Sequence, residues 1–364
     1  MTVYTWLVVL LLLAALLLRG NVKGNKKFII VACFMLFFVM GFRDAYSVGN
    51  DSASSYLHLF QQMEDTGWSE ITGRGEDNRN IVFSYLMKAM YMLTDGNYQM
   101  FIVVLSAFEI IVFGKFIMKY SKSPIQSIIY YLGLWFYIFN FNALKQGLAM
   151  TFLLLAFSAI IDRKPVKFVL LTLAGSMFHF PAIVFLPAYW IARIKMGRSF
   201  VFLLIAIVVA VLAFRDQILN YMVGFYDVYE SYVFEDDGRY ITGKVTVMAI
   251  LVVGAFFLRK PGANEAVYRA ALQIVSVSVV IQLFSVYNNV FERLADYYFQ
   301  FSVVLVPFVF ERSAEERKSG NQSLITLAKS IGPYVLGVLC IMRFFDYVSR
   351  PTAYLLPYSF CFFK

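Results

Sequence analysis

The stretch M-G-F-R-D-A-Y-S-V-G-N-D-S-A-S-S-Y, residues 40–56, decides the fold, because an apolar run gives way there to the longest polar segment of the chain. Arg43 and Asp44 stand where the apolar run that begins near Phe28 would leave a membrane. A charge near the bilayer centre costs roughly 2.5–3.5 kcal/mol on insertion scales, so charges at a membrane boundary are cheaper but still selective. The V-G-N-D sequence at 48–51 favours a turn, since Gly and Asn tolerate unusual backbone angles. We therefore predict that this junction forms one wall of a polar site on the outer side of a membrane protein.

Composition identifies the class of protein. Hydrophobic residues make up 60% of the 364 positions and charged residues 15%, and the mean hydropathy is +0.68. A soluble domain is about half apolar and a quarter charged, and many apolar runs here reach the roughly 20 residues that cross a bilayer. We therefore predict an all-α polytopic membrane protein with a single transmembrane domain over residues 1–364. Residues 1–18 lack the basic start and cleavage site of a signal peptide, so we expect a retained helix.

The net charge of +9 indicates membrane orientation rather than a nucleic-acid partner, because the basic residues cluster in short loops. These clusters are Arg19, Lys23, Lys26, Lys27; Lys115, Lys119, Lys122; Arg163, Lys164, Lys167; Arg193, Lys195, Arg198; Arg259, Lys260, Arg269; and Arg312, Arg317, Lys318. The other loops hold most carboxylates, including Glu64, Asp65, Glu70, Glu76, Asp77, Glu235, Asp236 and Asp237. Cytoplasmic loops carry the excess of Lys and Arg, so the basic clusters mark the inner side. The three cysteines have no metal or redox spacing, and we expect no cofactor.

This alternation of charge predicts about ten full transmembrane helices plus one re-entrant hairpin, with both termini outside. The predicted helices are Tyr4–Leu18, Phe28–Phe42, Tyr98–Met118, Ile125–Phe139, Ala143–Ile161, Phe200–Phe214, Lys244–Leu258, Ala270–Tyr287, Leu294–Phe310 and Ser323–Met342. Residues 43–96 and 215–243 are the predicted external loops, and Asn80–Leu93 is predicted to be a helix on the membrane surface. The last helix leads to a tail rich in Tyr and Phe that carries Arg343 and Arg350.

Basic residues flank both ends of the apolar run at 166–192, so the chain must enter the membrane there and return to the same side. Phe168–Phe178, at about 1.5 Å per residue, gives only roughly 17 Å of helix, about half a bilayer. We predict a re-entrant helical hairpin over 166–192 with His179 at its tip. Such backbone survives at membrane depth only where it is buried in protein or lines an aqueous cavity.

Four polar groups converge at the outer level under this topology. They are Arg43 with Asp44 at the end of the second helix, Lys145 with Gln146 at the start of the fifth, His179 at the hairpin tip, and Glu292 with Arg293 at the start of the predicted helix Leu294–Phe310. Three of the groups bring a cation. Cations at helix ends that are open to water suit an anionic ligand such as a diphosphate, where each charge-assisted hydrogen bond contributes about 1.5–3 kcal/mol.

Each group also has an ordinary structural explanation. Arg43–Asp44 and Glu292–Arg293 fit interfacial ion pairs or snorkelling side chains. The lysine alone fits an interfacial anchor, and a lone histidine fits a satisfied packing residue. Glu109, inside the third predicted helix, fits a carboxyl that pairs with a neighbour, and the tyrosines of 221–232 fit an interfacial belt.

The motifs at these positions resemble those of one family, the EpsG-type, Wzy-like bacterial polysaccharide polymerases. Their order is Gly41-Phe42-Arg43-Asp44, Val48-Gly49-Asn50-Asp51 and Tyr56; Asn142 with Lys145-Gln146-Gly147-Leu148-Ala149; Ala174 to His179 with Pro181; and Glu292-Arg293 with Tyr297. Lys145 stands where the family has Arg, so bidentate binding is not expected there, because lysine is a point charge. The resemblance covers about residues 41 to 310.

The resemblance implies a GT-C-like glycosyltransferase architecture in the bacterial cytoplasmic (inner) membrane. It implies a polymerase for O-antigen, capsule or exopolysaccharide that joins undecaprenyl-diphosphate-linked oligosaccharide repeat units on the outer face. One lipid-linked chain would be the donor, and a sugar hydroxyl of another lipid-linked unit would be the acceptor. A chain-length regulator and a flippase are further implied partners.

The mechanistic hypothesis is metal-independent glycosyl transfer with a lipid diphosphate leaving group, whose developing charge is stabilised by fixed cations. We expect the diphosphate to be bound by Arg43, Lys145 and Arg293. The candidates for a catalytic base are His179, Asp44 and Asp51. The residues expected to orient these groups or to bind sugar are Asn142, Gln146, Glu292 and Tyr297.

Three other functions compete with this hypothesis. A flippase or exporter of lipid-linked sugars would spread charges through the membrane depth and show two related halves, which we do not find. A membrane O-acyltransferase would need a route for an acyl donor, and the inner loops offer little besides cations that set topology. A purely structural scaffold is disfavoured by the predicted hairpin. The sequence also has no Walker A loop, zinc-ligand spacing or Gly-x-Ser-x-Gly elbow.

Overall fold

The structure is a computed structural model, and it describes residues 1–18, 22–71, 80–195, 197–214, 217, 248, 251–255, 265–286, 289–311 and 324–362. Almost all of the predicted external loop 215–243 and most of the predicted helix Lys244–Leu258 lie outside these residues. Apart from one isolated backbone bridge between Arg43 and Phe360, the described part of the chain consists of helices and the turns that join them.

The helices are numbered here along the described residues. They are α1 Thr2–Leu18, α2 Val22–Gly41, α3 Leu57–Gln61, α4 Ile81–Leu93, α5 Tyr98–Tyr120, α6 Pro124–Gly133, α7 Phe136–Asn142, α8 Leu144–Ile161, α9 Pro165–Phe178, α10 Ala188–Ile191, α11 Arg198–Ala213, α12 Glu265–Leu283, α13 Asn289–Phe299, α14 Ser302–Val309 and α15 Leu324–Ser349. A π-helical turn at Ser52–Tyr56 precedes α3, and 3-10 turns occupy Phe180–Phe185, Phe284–Val286 and Pro351–Ala353.

Five helices of the described chain are long and apolar enough to cross a membrane. The spans are Lys23–Gly41, Tyr98–Tyr120, Leu144–Ile161, Ala266–Leu283 and Leu324–Ser349. Shorter apolar helices add Thr2–Leu18, Ile81–Leu93, Pro165–Phe178 and Phe180–Ile191. The chain is therefore a helical membrane protein, as its composition predicts, whereas the count of about ten crossings and the orientation of the termini stay predictions.

Two predicted helices are each broken in the structure. The predicted helix Ile125–Phe139 is α6 followed by α7, and Trp135 between them has a left-handed φ of 61°. That conformation costs an L-residue roughly 1–2 kcal/mol, so contacts elsewhere must stabilise it. The Trp135 ring stacks on Phe299 with centroids 5.5 Å apart, and the Arg343 guanidinium lies 4.9 Å from its centroid. These contacts between distant parts of the chain explain a break that hydropathy does not predict.

The second broken helix is the one predicted over Leu294–Phe310. It begins earlier, at Asn289, and is interrupted at residues 300–301 before α14 begins at Ser302. Within α14 the Ser127 hydroxyl of α6 donates to the Val303 carbonyl over 2.6 Å, and this carbonyl has no helical donor because Pro307, four residues on, has no amide hydrogen.

Helix α8 lies at the centre of the molecule, where it packs against α5 on one side and α9 on another. Its Phe157 ring stacks on Phe301 at 5.0 Å, and Phe301 stacks in turn on Phe185 at 5.4 Å. All three rings are completely buried. This aromatic core fixes α8, the helix that carries Lys145 and Gln146 in its first turn, relative to the end of α13 and to the 3-10 turn after α9.

The chain from α9 to α10 leaves and returns to the same end of α8. The Phe168 ring at the start of α9 packs against Tyr189 of α10 at 5.3 Å, and Arg193 Nη2 donates to the Ile160 carbonyl at the end of α8 over 3.2 Å. Helix α9 has 14 residues, about 21 Å at 1.5 Å per residue, which is shorter than a hydrocarbon core of about 30 Å. His179 lies at the turning point, and the re-entrant position of 166–192 in a bilayer stays a prediction.

The residues after α15 fold back on the 40–56 stretch, which the sequence analysis does not foresee. The amide of Asp44 donates to the Ser359 carbonyl at 2.8 Å, and the Cys361 amide donates to the Phe42 carbonyl at 3.0 Å. The Tyr358 hydroxyl donates to the Val39 carbonyl at 2.8 Å. The C-terminal segment and the opening motif therefore lie together at one end of the helical bundle.

Helix α4 corresponds to the helix predicted over Asn80–Leu93. It buries Phe83 and Met87 in a cluster with α3 and α5, and the Lys88 Nζ donates to the Met63 carbonyl at 2.7 Å. Its position on a membrane surface stays a prediction.

Candidate active site

Arg43, the predicted phosphate ligand of the opening motif, is enclosed by protein. Arg43 is 0% exposed, and its guanidinium carbon Cζ lies 4.6 Å from the centroid of the Phe141 ring. The guanidinium donates to the carbonyls of Met40 at 2.6 Å, Val48 at 3.3 Å and Phe141 at 3.1 Å, and to the Ser52 hydroxyl at 3.2 Å. Arg43 thus joins the end of α2, the turn at 48–52 and the end of α7. The predicted role of a diphosphate ligand does not fit this position, and we assign Arg43 to holding the wall of the site.

Asp44 also stabilises the turn that it begins. Its carboxylate accepts from the Tyr46 amide at 3.2 Å and from the Ser47 hydroxyl at 2.8 Å. Asx turns of this kind use the side chain to satisfy backbone donors two residues on. The geometry therefore gives Asp44 a structural role and does not support it as a base.

Gly49 allows the wall to come close to α7. Its φ is 104°, and a Cβ placed there would lie 2.8 Å from the Phe141 carbonyl oxygen and 3.0 Å from Asn142 Oδ1. Glycine is the residue that combines this left-handed φ with such a close approach. The turn that the sequence predicts at 48–51 thereby brings Asp51 beside Asn142.

A polar cavity of about 260 Å³ lies in front of this wall. It is lined by Asn50, Asp51, Phe139, Asn142, Ala143, Arg293, Tyr347, Arg350, Thr352 and Ala353. Three of the predicted site residues, Asp51, Asn142 and Arg293, therefore meet at one cavity although they come from distant parts of the sequence. The Asn142 amide donates weakly to the Ala353 carbonyl at 3.5 Å, which connects the two sides of the cavity.

Asp51 is half-buried at the edge of the cavity. Burial raises the pKa of its carboxyl above the ordinary value, and the positive charge of Arg293 opposes that rise. Asp51 and Arg293 are thus electrostatically coupled at the cavity, and the positive charge of Arg293 favours the ionised form of the Asp51 carboxyl.

Arg293 is exposed at the start of α13, and its backbone is held by α8. Gln146 Nε2 donates to the Arg293 carbonyl at 2.9 Å, so the predicted orienting residue fixes the main chain of Arg293. The next residue of α8, Gly147, lets Asn140 Oδ1 and Glu109 Oε1 approach, since a Cβ there would lie 2.7 Å and 3.1 Å from these atoms. The glycine of the Lys-Gln-Gly motif is therefore explained by packing.

His179 and Tyr297 form a buried pair beside Arg293. The Nδ1 atom of His179 is hydrogen-bonded to the Tyr297 hydroxyl, and both side chains are buried. The amide of Phe180, the next residue, donates to Asn80 Oδ1 at 2.9 Å, which fixes the turn that carries the imidazole. Two predicted residues from separate motifs are thus in direct contact.

Lys145 lies beside the rings of Tyr56 and Phe83. Its Nζ is 5.9 Å from the Tyr56 centroid and 5.7 Å from the Phe83 centroid, within the range of a cation–π contact. Both Lys145 and Arg293 act electrostatically on His179. The two cations and the imidazole therefore belong to one site, and Arg293 connects this group to Asp51 and the cavity.

Glu292 is half-buried on the other side of α13 and acts electrostatically on Arg343 and Tyr347. Its carboxyl thus faces α15, which fits an orienting role better than contact with the base.

The sequence analysis missed the residues that α15 and the C-terminal segment add to the cavity, namely Tyr347, Arg350, Thr352 and Ala353. The sequence signal for these residues is the pair Arg343 and Arg350 in a C-terminal region rich in Tyr and Phe. In the part of the chain that the structure describes, no three His, Cys, Asp or Glu side chains form a group that could hold a metal ion.

A comparison with family models identifies the family of this chain. The model described as EpsG family matches residues 26–360, which is nearly the whole chain. No curated protein and no solved structure matches significantly.

Proposed function

Because this chain belongs to the EpsG family, a family of Wzy-like polymerases, we propose that it polymerises polysaccharide by glycosyl transfer from a lipid-diphosphate-linked oligosaccharide. The donor is undecaprenyl-diphosphate-linked, the acceptor is a sugar hydroxyl of a second lipid-linked unit, and the reaction takes place on the outer face of the bacterial cytoplasmic membrane. The fold is GT-C-like, both termini lie outside, and a flippase and a chain-length regulator work with the protein.

The observation that carries this proposal is the position of Arg293. It lines the polar cavity with Asp51, and it acts on the His179–Tyr297 pair together with Lys145. A cation, a histidine held by a second side chain, and a wet cavity are the parts that a displacement of a diphosphate needs.

The reaction follows from these parts. The acceptor hydroxyl oxygen forms a bond to the anomeric carbon of the donor, and the bond from that carbon to the diphosphate oxygen breaks. Arg293 and Lys145 stabilise the negative charge that develops on the diphosphate. His179 accepts the hydroxyl proton at Nε2 while Tyr297 holds Nδ1, and Asp51 orients the acceptor from the cavity.

Purified protein in detergent, given only a lipid-linked oligosaccharide and a chelator, tests the proposal. We expect a ladder of longer products without nucleotide sugar or metal. Lys167→Gln is a matched control, because Lys167 is an exposed cation at the opposite end of α9, and we expect it to give the same ladder. Absence of a ladder, together with movement of the lipid-linked sugar across liposome membranes, would contradict the proposal and favour a transporter.

A further inference from the structure

The far wall of the 260 Å³ cavity is built from the end of α15 and the residues that follow it. Tyr347 and Arg350 line the same space as Asp51 and Arg293. Backbone hydrogen bonds fix this wall. The Gly49 amide donates to the Tyr354 carbonyl at 2.8 Å, and further backbone bonds join Asp44 to Ser359 and Cys361 to Phe42. Arg350 is therefore placed by the opening motif, although more than 300 residues separate them in sequence.

The side chain of Arg350 has donors that a ligand can reach. It is 55% exposed, it pairs with Asp346 at 2.6 Å, and its guanidinium lies 5.5 Å from the Tyr347 centroid. Exposed ion pairs of this i, i+4 kind contribute about 0.3–0.5 kcal/mol, so a stronger anion can replace the carboxylate. Arg43 differs, since four buried protein oxygens accept from its guanidinium.

The size and charge of the cavity fit a diphosphate. Two guanidinium groups line one space, and guanidinium binds phosphate oxygens in a bidentate fork. The cavity volume of about 260 Å³ leaves room for a group as small as a diphosphate, which has two phosphorus and seven oxygen atoms. The single carboxylate of the lining, Asp51, acts on Arg293 and leaves Arg350 as the cation of the opposite wall.

We propose that Arg350 is a substrate-binding residue, and that its guanidinium and that of Arg293 bind the diphosphate of the lipid-linked donor from opposite walls of the cavity. This inference rests on the proposed function. Arg350 then takes the place that the sequence analysis gives to Arg43, and the C-terminal segment is part of the site.

Binding of farnesyl diphosphate to purified full-length protein, measured by calorimetry, tests the inference. We expect Arg350→Gln to weaken binding about tenfold, as loss of one charge-assisted contact at an exposed site requires, and Arg350→Lys to weaken it less. Asp346→Asn is the matched control, because it removes the ion pair and keeps the guanidinium. We expect it to bind within about twofold of wild type, and the thermal unfolding midpoint of each variant shows that it is folded.

The outcomes separate the inference from the proposed function. Wild-type protein that neither binds the diphosphate nor elongates a lipid-linked oligosaccharide would overturn both. Wild-type protein that elongates, with Arg350→Gln binding the probe as tightly as wild type or with no binding of the probe by either, would overturn the inference alone. Equal losses in Arg350→Gln and Asp346→Asn would also overturn it, because the arginine would then act only through its ion pair.

Discussion

Arg43 and Arg293 each stand beside an acidic residue in a motif of the same family, and the sequence gives no reason to separate them. The structure separates them completely. Arg43 is buried and its guanidinium donates to four protein oxygens, whereas Arg293 is exposed and lines a polar cavity, where Gln146 holds its backbone. The comparison teaches that an arginine at a helix end can reach a ligand only where protein does not enclose its side chain.

Arg43→Ala should have the largest effect, and the effect should be on folding. The substitution leaves buried carbonyls and the Ser52 hydroxyl without a donor, and each such group costs about 1–3 kcal/mol. We expect a loss of at least about 3 kcal/mol, seen as a strongly reduced yield of monodisperse protein and a lower thermal unfolding midpoint. A variant that folds normally but makes no polymer would return Arg43 to the ligand-binding group.

His179→Gln should have the next largest effect, and on the reaction rather than the fold. Glutamine fills much of the same volume but cannot accept the hydroxyl proton. We expect the rate of polymer elongation to fall by about 10²- to 10⁴-fold, with the folded fraction of the purified protein retained. A folded variant that elongates at close to the wild-type rate would exclude His179 as the base.

Tyr297→Phe should lower the elongation rate by less than His179→Gln does. The variant keeps the buried ring and removes only the hydroxyl that holds His179 Nδ1, so the imidazole loses its fixed orientation. We expect about a tenfold lower elongation rate and a shifted pH profile. Tyr298→Phe is the control, since its hydroxyl donates to the Val184 carbonyl at 2.6 Å and not to the histidine. Equal losses in the two variants would indicate that both phenols serve packing alone.

Asp51→Asn should have the smallest effect on stability, and the effect should depend on pH. Burial raises the pKa of the Asp51 carboxyl in the folded protein, so folding favours its protonated form. The contribution of this group to stability is therefore present at low pH and is lost as the pH rises through the folded pKa. Between about pH 4 and pH 7, the wild-type unfolding midpoint should fall by about 1–2 °C more than that of the variant. Parallel pH curves for the two proteins would show that Asp51 is not buried as described.

The positions of most helices could be predicted because each depends on a local property. Helix α5 begins at Tyr98 as predicted, where Asn97 Oδ1 accepts from the Met100 amide at 3.2 Å, and α8 begins one residue from the prediction. An apolar run and a capping residue are both visible in sequence. The breaks at Trp135 and at 300–301 were not predicted, because rings from other helices, such as Phe299 on Trp135 and Phe157 on Phe301, stabilise them.

The site could be predicted in part for the same reason. Polar residues at helix ends are visible in sequence, and Asp51, Asn142 and Arg293 do meet at a cavity. The direction of a side chain at a helix end is not visible in sequence, so the enclosed position of the Arg43 side chain could not be predicted. The packing of the C-terminal segment against the opening motif could not be predicted either, because the backbone hydrogen bond between Gly49 and Tyr354 produces no periodic pattern in the sequence.

The central claim is that the exposed arginine, and not the buried one, acts on the diphosphate. Elongation of a lipid-diphosphate-linked oligosaccharide by purified Arg293→Gln protein tests it most directly, with the unfolding midpoint measured on the same sample. The account predicts a midpoint close to wild type, as for other exposed side chains, and an elongation rate lower by about 10²- to 10³-fold. A folded Arg293→Gln protein that gives the wild-type ladder would contradict the account.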